Sequence, residues 1–78
     1  MSAQFKKWRE QSGLTQKDIA RELGFTTPQL VSNVERGVST YGIESIKNLA
    51  ELFDVTERQI RVEMFLFKEK QLRKKMKL

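Results

Sequence analysis

The 78-residue sequence predicts an all-α domain of five short helices with a helical C-terminal extension. Three observations carry this prediction. Apolar residues recur at helical spacing, and no alternating stretch is long enough for a strand. Gly13, Gly24, Gly37, Gly42 and the single Pro28 cut the chain into helix-sized pieces. The length holds one small core and leaves no room for a second domain.

The elements follow from the N-terminus. Ala3 to Ser12 sets Phe5 and Trp8 three apart on one helical face and runs into Gly13, suited to a left-handed cap. Thr15 offers an N-cap hydroxyl, with Asp18 three residues on in a capping-box position. Ile19, Ala20 and Leu23 form the buried stripe of this second helix, and Gly24 stops it. Thr27-Pro28 opens the third helix, with Thr27 as N-cap and Pro28 at the first helical position, where a missing N–H costs nothing. That helix is expected to reach Arg36 and stop at Gly37. Gly42 or Thr40 opens a fourth helix whose apolar side is Ile43, Ile46, Leu49, Ala50 and Phe53. Thr56-Glu57 starts the fifth.

Continued as a helix, residues 60–78 are apolar on two opposite sides. Ile60, Met64 and Phe67 make one stripe, which is expected to seal the domain's own core. Val62, Phe65, Leu66, Leu72 and Met76 make the other. One small domain covers only one of them, and a large uncovered patch marks an interface. Phe65, Leu66, Leu72 and Met76 are therefore the expected dimer contacts, and the chain divides into a domain over 1–60 and a basic amphipathic extension over 61–78.

Composition narrows the function. The chain has no cysteine and no histidine. Disulfides are excluded, and the usual general base, the Ser-His and Cys-His pairs and the commonest zinc ligand are missing. This argues against an enzyme, and neither a cofactor nor a metal is expected. The longest unbroken apolar run, Met64 to Phe67, falls far short of the ~20 residues of a membrane-spanning helix. Met1 to Trp8 lacks the apolar stretch of a secretory signal. A cytoplasmic, nucleoid-associated protein with no membrane partner and no small-molecule ligand is expected. The net charge of +5 comes entirely from the tail: residues 1–60 carry eight bases and eight acids, and residues 61–78 carry seven bases against Glu63 and Glu69. A basic pI therefore points to a polyanion only through the tail, whose run Lys68, Lys70, Arg73, Lys74, Lys75 and Lys77 serves solubility, phosphate contacts or both.

A helix, a tight turn after Gly24 and a second helix make a helix-turn-helix arrangement. Its residues include Leu14-Thr15-Gln16, Ala20, Leu23-Gly24 and Val31-Ser32-Asn33-Val34-Glu35-Arg36-Gly37. Ile43-Glu44, Ile46, Leu49-Ala50, Leu52, Val55-Thr56 and Ile60 continue the pattern. Over residues 3–60 the sequence resembles the Xre/Cro-type helix-turn-helix phage repressor family. The resemblance implies a five-helix, repressor-like DNA-binding domain and a sequence-specific transcriptional regulator. Its partner would be double-stranded DNA, bound by a homodimer at a two-fold symmetric operator. Two rival readings remain: an antitoxin-like subunit that captures another chain, and a non-specific nucleic-acid binder acting through its basic tail.

The register of the third helix decides which residues face DNA. The family places its first buried residue one position nearer the turn glycine than Val31 stands from Gly24. Keeping that spacing would bury Leu30 and Asn33, and an unpartnered amide in a core costs about 1–3 kcal/mol. A turn longer by one residue buries Val31 and Val34 instead and is the expected arrangement. Gln29, Asn33 and Arg36 then face outward with Ser32 beside them, as base-reading candidates. Gln and Asn amides pair with adenine N6/N7, and Arg takes guanine or a phosphate. Leu30 lies between the two sides, packing on the fourth helix or touching a thymine methyl.

The resemblance further implies phosphate contacts from Thr15 and Gln16, assisted by free N–H groups at the start of the second helix. Lys17, Thr27, Ser39 and Thr40 complete the expected phosphate set. The loop Val38-Ser39-Thr40-Tyr41 lacks the proline and bases common there, so its contacts must come from hydroxyls or backbone N–H groups. Arg9 and Glu35 match the family's ion pair between the first helix and the end of the third. Trp8 is expected in the core, and Phe25 as a half-buried plug in the turn.

Overall fold

The computed structural model describes residues 3–76. Among them are five α-helices and one 3-10 turn, with no strand: α1 Ala3–Gln11, α2 Gln16–Glu22, α3 Gln29–Glu35, the 3-10 turn Ile43–Ser45, α4 Ile46–Phe53 and α5 Glu57–Met76. The all-α expectation holds. α1 packs against α3 and α4, α2 against α3, and α4 against α5.

One device closes each of the first four helices. The N–H of Phe25 donates to the carbonyl of Ala20 (2.8 Å) and that of Gly24 to Arg21 (3.2 Å), the paired bonds of a Schellman cap. Gly24 sits at φ +78°, where a side chain would clash with the following carbonyl. Gly37 repeats the geometry after α3, with Val38 N–H on Asn33 O and its own N–H on Val34 O. Asp54 ends α4 the same way at φ 54°, a left-handed position occupied by a residue with a Cβ. The α2–α3 turn thus follows from one glycine and two backbone hydrogen bonds.

The helix starts are capped from the sequence. Thr15 and Asp18 form the expected capping box: the Asp18 N–H donates to the Thr15 hydroxyl (3.0 Å) and the Thr15 N–H to the Asp18 carboxylate (2.9 Å). Thr56 and Gln59 make the same reciprocal pair before α5. At α3 the start falls one residue later than predicted. Pro28 occupies the cap position and Gln29 begins the helix, with the Gln29 N–H reaching the Thr27 hydroxyl at 3.4 Å.

The core is a single cluster to which every helix contributes. Phe5, Ile19, Ala20, Val31, Val34, Ile46, Leu49, Ala50, Phe53, Ile60 and Met64 are buried, with Trp8, Leu14, Leu23, Phe25, Leu30, Leu52 and Val55 packed around them. Val31 and Val34 are essentially inaccessible, so the turn is the longer one. Leu30 lies at the edge of the core and Phe25 is half-buried, as expected. The fourth helix departs from its expected pattern. Ile43 was expected on the apolar side but is 75% exposed, because the chain enters α4 through a 3-10 turn that carries it outward. Tyr41, in the preceding loop, joins the core, buried with its ring edge-on to Phe5 at 5.2 Å.

α5 holds both stripes on one continuous helix of 20 residues, about 30 Å long. Ile60 and Met64 are buried and Phe67 is half-buried, whereas Val62, Phe65, Leu66 and Leu72 are exposed. The Met76 side chain lies outside the described residues. Among the described residues no helix is long and apolar enough to cross a membrane.

The α3 register is testable by placing a carboxylate on each side of the helix. Val34→Asp should lower unfolding free energy by more than about 3 kcal/mol, since the buried carboxylate finds no partner. Asn33→Asp should change it by less than about 1 kcal/mol. Urea denaturation of both variants measures the contrast, and equal losses would contradict the register.

Candidate nucleic-acid interface

The interface is built on an ion pair behind α3. Arg9, in the last turn of α1, donates from Nε to Glu35 Oε2 at 2.6 Å and from Nη2 to Oε1 at 3.1 Å. Its Nη1 donates to the carbonyl of Leu14 at 2.9 Å. Gln16, at the first position of α2, adds a bond from Nε2 to Glu35 Oε1 at 3.0 Å. One carboxylate at the end of α3 thus joins α1 and the start of α2. The two charged side chains keep only 12% and 5% of their surface exposed. A charge buried to that degree must be paired and hydrogen-bonded, and here both are. The bond to Glu35 raises the Arg9 pKa above its already high ordinary value. Tyr41 packs nearby, its phenol pushed well up by burial first and by the Glu35 charge second.

This arrangement decides what each expected phosphate contact has available. Thr15 is exposed. Its oxygen accepts the Asp18 N–H, so the side chain serves the helix start. Asp18 beneath it has its pKa lowered, mainly by the Thr15 backbone N–H and then by the hydroxyl, so this cap stays charged at neutral pH. Lys17 and Thr27 are exposed and Ser39 is half-buried. Gln16 is half-buried with its amide turned towards Glu35, which leaves one N–H and the carbonyl oxygen for other partners. Thr40 is the outlier: its hydroxyl is buried without a hydrogen-bond partner, so in this arrangement it offers nothing to a phosphate.

The outward face of α3 carries the four base-reading candidates. Gln29 and Arg36 are exposed, and Ser32 and Asn33 are half-buried. Three of them are joined: Gln29 Nε2 donates to Asn33 Oδ1 at 3.0 Å, and Arg36 Nη2 donates to the same oxygen. Residues four and three apart on a helix are neighbours on one face, which brings these groups together. Val38 and Ile43, both apolar and exposed, flank the loop that follows.

The tail approaches this region. An open groove runs between Gly37, just past α3, and the later turns of α5, where Leu66, Phe67, Lys70, Arg73 and Lys74 line it. Glu69 is held by Arg73 at 3.0 Å. Basic side chains of the extension thus line the same groove as Gly37, together with the acidic Glu63 and Glu69.

Residues 5–60, from the first turn of α1 to the first turn of α5, match the helix-turn-helix family model. The chain belongs to the helix-turn-helix family. No curated protein and no solved structure matches it. Within this Xre/Cro-type family the domain is a DNA-binding regulator, and α2, the turn at Gly24 and α3 are its helix-turn-helix. The match ends inside α5, so the exposed stripe over Val62 to Leu72 lies beyond the family's shared domain. Two features of the helix-turn-helix site escaped sequence reasoning. The Gln16–Glu35 bond joins positions with no periodic relation, and only the fold brings them together. The convergence of Gln29 and Arg36 on Asn33 was readable in principle, because all three lie at helix-neighbour spacing.

Removing one partner of the ion pair should cost more than replacing both. Glu35→Ala should lose about 3–5 kcal/mol by stranding the Arg9 charge. The double variant Arg9→Met/Glu35→Leu, which substitutes packed apolar groups, should lose less than that single change. Thermal and urea unfolding of both proteins gives the comparison, and a double variant less stable than Glu35→Ala would contradict the account.

Proposed function

We propose that this helix-turn-helix protein is a sequence-specific transcriptional repressor that binds a two-fold symmetric operator as a homodimer. One observation carries the reading. A face of polar side chains on the second helix of the motif is held outward by a buried ion pair on its inner side. Gln29, Ser32, Asn33 and Arg36 meet base edges in the major groove. Thr15, Gln16, Lys17, Thr27 and Ser39 meet the phosphates that fix orientation. No chemistry is performed: the bound dimer acts by occupying the operator, in the cytoplasm at the nucleoid.

Residues 1–60 form the DNA-binding domain and 61–78 the dimerisation extension. The exposed side chains of Phe65, Leu66 and Leu72 support this division, with Met76 continuing the stripe in sequence. Burying each large apolar side chain contributes about 1.5–3 kcal/mol. A few such side chains from each copy offset the cost of association for a micromolar dimer. Lys70, Arg73 and Lys74, which line a groove with Gly37, add phosphate contacts that strengthen binding without reading sequence.

Two measurements test the proposal. Selection of duplexes from a random pool, repeated at low and moderate salt, should return one recurring motif at both. Its two half-sites should lie one helical turn apart, about 34 Å, or a multiple of that. Binding that collapses with salt and leaves no motif would instead identify a non-specific tail binder. In sedimentation, the full chain should dimerise at tens of micromolar, and Phe65→Glu should be monomeric. A wild-type monomer indistinguishable from Phe65→Glu would overturn the homodimer and favour capture of a different chain.

A further inference from the structure

We infer that Asn33, counted above among the residues that face base edges, is a positioning residue: a splint that sets Gln29 and Arg36 for base reading in place of reading a base itself. This rests on the reading that the outward face of α3 contacts base edges. The observation is the double convergence on a single atom. Asn33 Oδ1 accepts Gln29 Nε2 from the turn before and Arg36 Nη2 from the turn after. An amide oxygen has two lone pairs, and both are engaged. Pairing with adenine requires this same oxygen to accept the N6 proton while the amide nitrogen donates to N7. Asn33 cannot do so without releasing one neighbour.

The two neighbours keep what base reading requires. Gln29 retains its carbonyl oxygen and a second amide proton, the acceptor and donor that match adenine N6 and N7. Arg36 retains its other N–H donors, enough for the fork that recognises guanine O6 and N7. Gln and Arg are long side chains, and ordering each from solution costs side-chain entropy. Asn33 offsets part of that cost before DNA arrives. It is well suited to the task, because its backbone carbonyl is itself held by the N–H groups of Val38 (2.9 Å) and Ser39 (3.3 Å) at the closing cap of α3. The splint therefore stands on the capped last turn of the helix, half-buried and bonded to both readers.

The test compares base preferences, position by position, for wild type and for Gln29→Ala, Arg36→Ala and Asn33→Ala, from duplexes selected out of a random pool. Circular dichroism first establishes that each variant is folded. Each reader variant should flatten its own position or positions, by about tenfold in preference. Asn33→Ala should weaken both sets together and no other position. Asn33→Asp keeps an acceptor for both donors and should restore the wild-type preferences, while its added negative charge lowers affinity for every sequence alike. A position flattened by Asn33→Ala and untouched by both reader variants would make Asn33 a reader and overturn the inference. If wild type selects no motif, or no α3 variant changes it, then the reading of the α3 face fails instead, an outcome distinct from failure of the splint alone.

Discussion

The Arg9–Glu35 ion pair is the constraint on which the remaining arrangement depends. A carboxylate this deeply placed is unfavourable by itself, and the fold surrounds it with two bonds from Arg9 and one from Gln16. The guanidinium also grips the Leu14 carbonyl, so the chain entering α2 is tied to the same point. α2 and α3 have only seven residues each, too short to be stable alone. Their relative attitude is fixed by apolar packing through Ile19, Ala20, Val31 and Val34 and by this polar clamp at the end. Apolar packing is non-directional, whereas a two-pronged guanidinium–carboxylate pair has a defined geometry. The clamp therefore specifies how α3 is oriented as well as that it is buried.

The two sides of α3 divide the work. Inward, the valines and Glu35 fix the helix to the domain; outward, Gln29, Ser32, Asn33 and Arg36 remain available. α5 shows a similar division at larger scale. Ile60 and Met64 complete a core that would be meagre for a chain of this length, and the helix then continues with its opposite side uncovered. The domain is near-neutral and the bases are concentrated in the extension, which under the proposed function separates recognition from electrostatic attraction. In the proposed function, the basic tail that lines a groove with Gly37 supplies attraction while the α3 face does the reading.

Much of the fold was legible because its signals are local. Glycines at the helix ends, the Thr15–Asp18 capping box and helical apolar spacing each act over a few residues. The burial of Val31 and Val34 followed from the cost of burying Asn33 in the other register. What was not legible depended on tertiary choice. Ile43 reads as core by spacing, but a 3-10 turn changes the angular step per residue and carries it outward, and Tyr41 of the preceding loop is buried. Thr40 reads as an exposed loop hydroxyl, yet the packing of the following Tyr41 draws it inward. In the candidate site, the identities of the outward α3 residues were readable from sequence. The turning of Gln16 towards Glu35 was not, since it needs the position of a carboxylate nineteen residues away.

The most direct test of the central claim separates charge from geometry at the clamp. Arg9→Lys keeps the positive charge beside Glu35 but loses the two-pronged fork and the additional bond to Leu14. The measurement is the ratio of affinity for the selected operator to affinity for an unrelated duplex, taken on protein shown by circular dichroism to be folded. If the clamp orients α3, this ratio should fall about tenfold or more while affinity for the unrelated duplex stays unchanged. A folded Arg9→Lys protein with the wild-type ratio would contradict the account and assign the orientation of α3 to apolar packing alone.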